Sequence, residues 1–259
     1  MLGALRSRYR VSWIEAIGCD PHYPVSEGWP RLIDQLLDTL EAKYRGEPVF
    51  GVGHSLGGFL NFHAAVRRPE LFRAIVLLDA PIIGAIRGGM LGAVKRLGLV
   101  DRVTPAGASR DRRSVWASRA EAKAHFRTRR LFRHFTEQCL DDYVRHGLVE
   151  DGHGGLRLLI DPAIEAEIYR TIPHGMSKRL SALRVPAGFI GGAESNVVQQ
   201  VGLAATRGRF ALRKVPGGHL FPFERPLEAA RAIEGLLDEL QLTSRGAAAP
   251  RAAPRARGC

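Results

Sequence analysis

The sequence predicts an α/β fold in which a mostly parallel sheet is flanked by helices and interrupted by an inserted helical cap. Three observations predict this architecture. Short apolar runs alternate with segments of helical spacing at both ends of the chain. Residues 83–183 break the alternation where a single crossover would suffice. The length of 259 residues and the 45% hydrophobic content suit one large domain with an insertion.

The predicted elements follow in order along the chain. Apolar runs bounded by Gly or Pro predict strands at 9–18, 47–55, 72–81, 185–192 and 209–218. Apolar residues at helical spacing predict helices at 29–44, 56–67 and 224–240, with one more between the last two strands. The run "FRAIVLLDAP" is continuously apolar, which is typical of a strand buried on both faces.

The boundaries of the predicted parts follow from these elements. Residues 1–82 and 184–242 form the α/β core, and residues 83–183 form the cap. The cap is rich in Arg and mostly helical in its spacing, as in "SRAEAKAHFRTRRLFRHF". Ala, Pro and Arg dominate residues 243–259, which predicts a disordered tail.

Charge and composition narrow the class of protein. The formal net charge of +12 is concentrated at residues 102–133 and in the tail. No nucleic-acid motif accompanies it, so we interpret the charge as a solvated helical face and expect neither a nucleic-acid nor a membrane partner. The chain lacks an 18-residue apolar run and a signal-peptide pattern, and Cys19, Cys139 and Cys259 are too scattered for a disulfide or zinc framework. These features predict a cytoplasmic protein.

The stretch "GVGHSLGGF" carries the strongest chemical signal. It places Ser55 inside G-x-S-x-G, after an apolar strand and before a helix. Gly53 and Gly57 flank the central His54, Ser55 and Leu56, and small neighbours are what a sharp strand-to-helix turn requires. This context predicts Ser55 as a nucleophile, with the backbone N–H of Leu56 at the helix N-terminus stabilising an oxyanion.

The general base is predicted to be His219. It follows the last predicted strand in "RKVPGGHLFPFERP", where the chain order serine, acid, histidine would place the base. The other eight histidines lie before the serine, in the turn, on the helix after it, or in the cap.

These motifs together resemble the α/β-hydrolase superfamily. The resemblance rests on "GHSLGG", a strand ending in "LLDAP", a long cap and "GGHLFPFERP". It implies hydrolysis of an ester, thioester, amide or related bond of a small molecule, with no metal and no organic cofactor.

The resemblance leaves two carboxylates open as the triad acid. The family usually places the acid after the strand at 185–192, where the loop reads "GGAESNVV" and Glu194 is the only carboxylate. Asn196 stands where many relatives have Asp. A minority of the family places the acid after the preceding strand, where Asp79 lies. The sequence favours Glu194 over Asp79.

The resemblance also concerns the start of the chain. In the family, a strand and an H-G-like loop precede the segment that "LRSRYRVSWIEAIG" resembles, and that loop donates the second oxyanion N–H. Because Met1 lies eight residues before Tyr9, we expect the first strands of the sheet to be missing and the chain to be truncated at its N-terminus.

The predicted reaction is cleavage of an ester-like carbonyl bond through an acyl-enzyme. Thioester or carbon–carbon hydrolysis on the same triad, and a non-catalytic ligand-binding role, remain alternatives. Aromatic cap residues could line the substrate pocket, but the pattern favours the cap's own core for each of them: Trp116, Phe126, Phe132, Phe135, Tyr143 and Tyr169.

Overall fold

A computed structural model describes residues 1–248, with side chains up to residue 242. The strands are β1 Val49–His54, β2 Phe72–Leu78, β3 Val115–Trp116, β4 Leu148–Glu150, β5 Leu156–Leu158, β6 Ala187–Gly192 and β7 Ala211–Val215. The helices are α1 Leu2–Leu5, α2 Pro30–Tyr44, α3 Leu56–Arg67, α4 Ala85–Arg96, α5 Val100–Val103, α6 Ala106–Arg110, α7 Arg119–Arg127, α8 Glu137–His146, α9 Pro162–Arg170, α10 Asn196–Val201, α11 Ala204–Arg207, α12 Phe221–Glu224 and α13 Pro226–Ala248.

The main sheet contains four parallel strands in the order β1-β2-β6-β7. Gly53 of β1 lies opposite Leu77 of β2, which in turn lies opposite Phe189 of β6. The carboxyl ends of all four strands therefore meet at one edge, where an open α/β sheet places its functional loops. The predicted α/β fold with a mostly parallel sheet is confirmed.

Alternate residues of β2 divide the core into two layers. Ile75 and Leu77 point to the layer formed with α2 and α3, whereas Val76 and Leu78 point to the layer formed with α13. All four side chains are at most 1% exposed. Burial on both faces explains why this strand is apolar without interruption.

Helix α13 packs tightly on the sheet because Gly188 in β6 has no side chain. A Cβ atom at Gly188 would lie 2.4 Å from Cδ2 of Leu236. The helix continues to Ala248, six residues into the segment predicted to be a disordered tail. The remainder of that predicted tail, residues 249–259, lies outside the described residues.

The inserted segment has a core of its own. Trp116, Phe126, Phe132 and other apolar residues form a separate buried cluster, and Phe135 and Tyr143 pack against it. The segment also contains a three-stranded antiparallel sheet in the order β3-β5-β4, which helical spacing did not predict. Strands of two or three residues are too short to show a period of two in the sequence.

The predicted strand at residues 9–18 is wrong. Within the described residues this segment pairs with no strand, although its side chains pack beside β1 and α2. The Tyr9 ring contacts Phe50 edge-on at a centroid distance of 6.0 Å, and the Ser12 hydroxyl bonds the Tyr44 hydroxyl. The apolar pattern of this segment reflects the burial of its side chains. A strand also needs backbone hydrogen bonds to a neighbouring strand, which this segment does not form in the described part of the chain.

His63 on α3 is a buried polar residue without a partner. It is 4% exposed, and neither ring nitrogen has a hydrogen-bond partner. Burial, together with the nearby charge of Arg179, lowers the pKa of His63 to about 4. Below pH 6.5 the unfolded chain therefore binds a proton that the folded protein excludes, so acidification destabilises the fold.

We expect His63→Leu to remove part of this pH dependence. Above pH 6.5, His63 is neutral in both the folded and the unfolded state. As the pH falls from 6.5 toward 4, only the unfolded chain takes up the proton, so the free energy of unfolding decreases. The loss between pH 7.5 and pH 5 is on the order of 2 kcal/mol. Urea unfolding at these two pH values measures it. The exposed His22→Gln should keep the full pH dependence, and an unchanged dependence in His63→Leu would contradict the assignment.

Candidate active site

Ser55 lies in a sharp turn between β1 and α3. Its backbone has φ 50° and ψ −112°, a conformation that side-chain-bearing residues rarely adopt. Three backbone hydrogen bonds hold it: the Ser55 N–H donates to Leu78 O at 2.9 Å, and Ser55 O accepts from the N–H groups of Gly58 and Phe59. A strained conformation kept this firmly is a common feature of functional sites.

The glycines of the turn have different roles. A Cβ atom at Gly53 would lie 2.2 Å from the backbone of Gly57, and one at Gly58 would lie 2.6 Å from the Cβ of Ala80. A Cβ atom at Gly57 would meet nothing within 4 Å. The close approach of β1 to α3 therefore depends on Gly53 and Gly58. The sequence motif singled out Gly53 and Gly57, and the structure gives Gly57 no such steric role.

Leu56 is the first residue of α3. The first N–H groups of a helix have no acceptor within the helix, so the Leu56 N–H is available for a ligand. The positive end of the helix dipole lies at the same position. This is the arrangement that the predicted oxyanion role requires.

His219 is paired with Asp79. The Nδ1 atom of His219 lies 2.7 Å from Oδ2 of Asp79, which is completely buried and directly follows β2. Asp79 has a positive φ of 48°, which turns the chain sharply at the end of the strand. Because the carboxylate can only accept, Nδ1 is the protonated nitrogen, and Nε2 is left with its lone pair free to take a proton.

Two more donors hold the Asp79 carboxylate. The N–H of Gly192 donates to Oδ1 at 2.8 Å, and the Ser195 hydroxyl donates to Oδ2. Ser195 is 1% exposed and also caps α10 by accepting from the Val198 N–H. Ser195 is not among the predicted site residues, because a serine beside a helix start carries no signal for a partner 116 residues away.

Glu194, the favoured candidate acid in the sequence, lies elsewhere. It is exposed, and its carboxylate accepts from the backbone N–H of Gly217. Glu224 similarly accepts from the N–H of Gly218 at 2.8 Å. Both glutamates therefore hold the backbone of the loop that leads to His219. The structure brings His219 together with Asp79, the second candidate, and pairs Glu194 with the loop. Asn196 begins α10.

His54 connects the serine turn to the histidine loop. Its Nε2 atom donates to the backbone oxygen of His219 at 2.8 Å, and the two rings lie 4.7 Å apart. Burial, together with the neighbouring His219, lowers the pKa of His54 to about 4. His54 is therefore neutral at neutral pH. It holds His219 against the turn that carries Ser55, a positioning role that its place in the motif does not reveal.

The segment predicted to be the cap contacts α12 beside this site. The ring of Phe135 stacks on Phe223 with centroids 4.8 Å apart, and the Thr136 N–H donates to Phe223 O. Phe223 also lies edge-on to His54. Within residues 1–248, no group of three His, Cys, Asp or Glu residues is arranged to hold a metal ion.

Comparison with known proteins identifies the family. The model described as the alpha/beta hydrolase family matches residues 2–232. The chain belongs to this family, which confirms the resemblance in the sequence. The expected truncation at the start of the chain stays a prediction.

Three similar proteins illustrate the range of the family. An abhydrolase domain-containing protein of Alternaria alternata is 26% identical over 234 residues, which cover 74% of this chain and 84% of that protein. A monoglyceride lipase homolog of monkeypox virus is 29% identical over 93 residues, or 33% of this chain and 34% of the viral protein. The crystal structure of E-2-(acetamidomethylene)succinate hydrolase shares the fold, with a TM-score of 0.67, 21% identity and coverage of 85% of this chain and 76% of that chain.

We expect Gly53→Ala and Gly57→Ala to differ sharply. The added methyl group at Gly53 would overlap the backbone of Gly57, so Gly53→Ala should lower the free energy of unfolding by about 3 kcal/mol or prevent folding. Gly57→Ala should leave stability unchanged or raise it by up to about 1 kcal/mol, because alanine favours the helix. Thermal unfolding followed by circular dichroism measures both. Equal destabilisation by the two substitutions would contradict this steric assignment.

Proposed function

We propose that the protein is a serine hydrolase that cleaves an ester-like bond of a small molecule through an acyl-enzyme. The observation that carries the proposal is the 2.7 Å bond between His219 and the buried Asp79, with His219 bonded to His54, the residue before the strained Ser55. A nucleophile, a base and an acid that orients the base are the three groups that this chemistry requires. Membership of a hydrolase family supports the same reaction class.

In the first half of the proposed reaction, Nε2 of His219 takes the proton of the Ser55 hydroxyl as its oxygen attacks the carbonyl carbon. The carbonyl oxygen becomes negatively charged and is stabilised by the Leu56 N–H at the start of α3. When the tetrahedral intermediate collapses, the bond to the leaving alcohol breaks. The proton held by His219 passes to that alcohol, and the acyl group stays on Ser55.

In the second half, His219 takes a proton from a water molecule, and the resulting hydroxide attacks the acyl carbon. The bond between the acyl group and Ser55 breaks, and the proton returns from His219 to the serine oxygen. The product is a carboxylic acid, and the enzyme is restored without a cofactor.

Asp79 serves both halves by fixing the orientation and tautomer of His219. Its negative charge also stabilises the imidazolium that forms when His219 holds the proton. Gly192 and Ser195 keep the carboxylate in place through the bonds described above. In this proposal the acid follows β2, and Glu194 supports the loop that carries His219.

The choice of an ester-like substrate draws on the names of similar proteins. One relative is named a lipase homolog, and the crystal structure with the same fold is that of a hydrolase. In our structure, Leu56 and Phe59 lie beside Ser55 and pack against a large apolar cluster. An apolar surface beside the nucleophile favours a substrate with an uncharged acyl group.

We expect Ser55→Ala to abolish both turnover and acylation. With p-nitrophenyl butyrate, the native protein should release a burst of p-nitrophenol stoichiometric with enzyme, because this activated ester acylates Ser55 faster than water hydrolyses the acyl-enzyme. A fluorophosphonate should add once, to Ser55, as measured by mass spectrometry of the peptides.

The exposed Ser7→Ala is the matched control and should keep both the burst and the label. Labelling of a different residue in the folded native protein, or a burst that persists in Ser55→Ala, would contradict the proposal. A folded native protein that gives neither burst nor label would contradict it as well.

A further inference from the structure

Helix α4, the first helix of the predicted cap, exposes an apolar stripe that continues to Leu97, the residue directly after the helix. Ile86, Met90 and Leu97 are 82%, 65% and 71% exposed, and Ala93 between them is exposed as well. Their spacing of four, three and four residues places them along one side of the helix. We call these four residues the α4 stripe. Val103 in the neighbouring α5 is another exposed apolar residue, at 61%.

The opposite side of α4 is held against the protein. Gly88 and Gly92 are buried and lie against His174, where Cβ atoms would be 2.2 Å and 3.2 Å from its nearest atoms. By their positions around the helix axis, these glycines lie on the face opposite the stripe. Helix α4 therefore packs through its glycines and Leu91, and it directs Ile86 and Met90 outward, where an ordinary surface helix carries polar residues.

Positive charges border the stripe. Arg87 and Arg96 lie on opposite sides of it by their helical positions, both are exposed, and neither forms an ion pair with a described residue. Arg102 in α5 is likewise exposed without an ion pair in this part of the chain. The only carboxylate in residues 85–103 is Asp101, which is already bound by Arg170. The surface is thus apolar along its centre and positive at its borders.

We propose that the α4 stripe binds an anionic lipid surface, with α4 lying in the plane of the interface. The apolar side chains would enter the boundary between headgroups and acyl chains, while the arginines would meet the lipid phosphates. No helix among the described residues is long and apolar enough to cross a bilayer. The proposal revises the prediction of no membrane partner, because a sequence does not show which apolar side chains are exposed at the surface.

Two other occupants fit the surface less well. A second copy of the chain would bring its own arginines against these arginines, with no free carboxylate in the segment to pair with them. A stripe one helix wide is also narrow for a stable dimer, which buries about 800 Å² on each partner. A nucleic acid would use the arginines but would leave the apolar centre without a partner.

The test is binding of the full chain to vesicles, measured by flotation. We expect binding to vesicles of phosphatidylglycerol and phosphatidylcholine, and much weaker binding to phosphatidylcholine alone. Ile86→Ser with Met90→Ser should weaken the affinity at least about tenfold, since two large apolar side chains no longer enter the interface. Arg87→Gln with Arg96→Gln should weaken it by about fivefold for each arginine, less at high salt.

Leu227→Ser with Arg231→Gln is the matched control, because both residues are exposed on α13. It should bind like the native chain, and every variant should keep the native circular dichroism spectrum. Absence of binding to the anionic vesicles, or binding that the α4 substitutions leave unchanged, would overturn the proposal.

A dimer in light scattering that only the α4 substitutions abolish, without vesicle binding, would overturn the proposal and assign the stripe to a second copy. DNA binding lost with the arginines, again without vesicle binding, would assign it to nucleic acid. The outcome does not depend on hydrolysis by Ser55.

Discussion

The buried carboxylate of Asp79 is the constraint on which the proposed site depends. A charge without solvent is strongly unfavourable unless donors surround it. Here the donors come from separate parts of the chain: Gly192 at the end of β6, Ser195 after β6, and His219 after β7. Satisfying one carboxylate therefore fixes the loops at the ends of three neighbouring strands relative to each other. The parallel sheet makes this possible, because it brings those strand ends to a single edge.

The turn at Ser55 lies at the same carboxyl edge of the sheet. Its unfavourable backbone conformation is held by the bond to Leu78 O, on the residue that precedes Asp79. His219 is held from the other side, since the His54 ring donates to the backbone of His219. The proposed nucleophile and base are thus positioned by bonds to the main chain, and the absence of side chains at Gly53 and Gly58 lets β1, β2 and α3 approach closely enough to form them.

Features that depend on neighbouring residues in the sequence were predicted better than contacts between residues far apart in the sequence. The sequence around Ser55 predicted a strand, a sharp turn and a helix, and β1 and α3 lie at those positions. This prediction succeeded because the apolar run, the glycines and the helical spacing all lie within the segment itself. The order of the strands also placed His219 in the loop after the last one. The pairing of His219 depends on a distance of a few ångströms between segments 140 residues apart, which is why the sequence favoured Glu194 although the structure pairs His219 with Asp79. The error at residues 9–18 has a similar origin, because a strand requires a partner that its own residues do not specify.

The central claim is that Asp79 orients His219, and proton NMR of the native protein tests it directly. A protonated Nδ1 in a short bond to a buried carboxylate exchanges slowly and resonates far downfield of the backbone amides. We predict such a resonance for His219, retained in Glu194→Gln and absent from a folded Asp79→Asn. Loss of the resonance in Glu194→Gln, with retention in Asp79→Asn, would contradict the assignment and make Glu194 the acid.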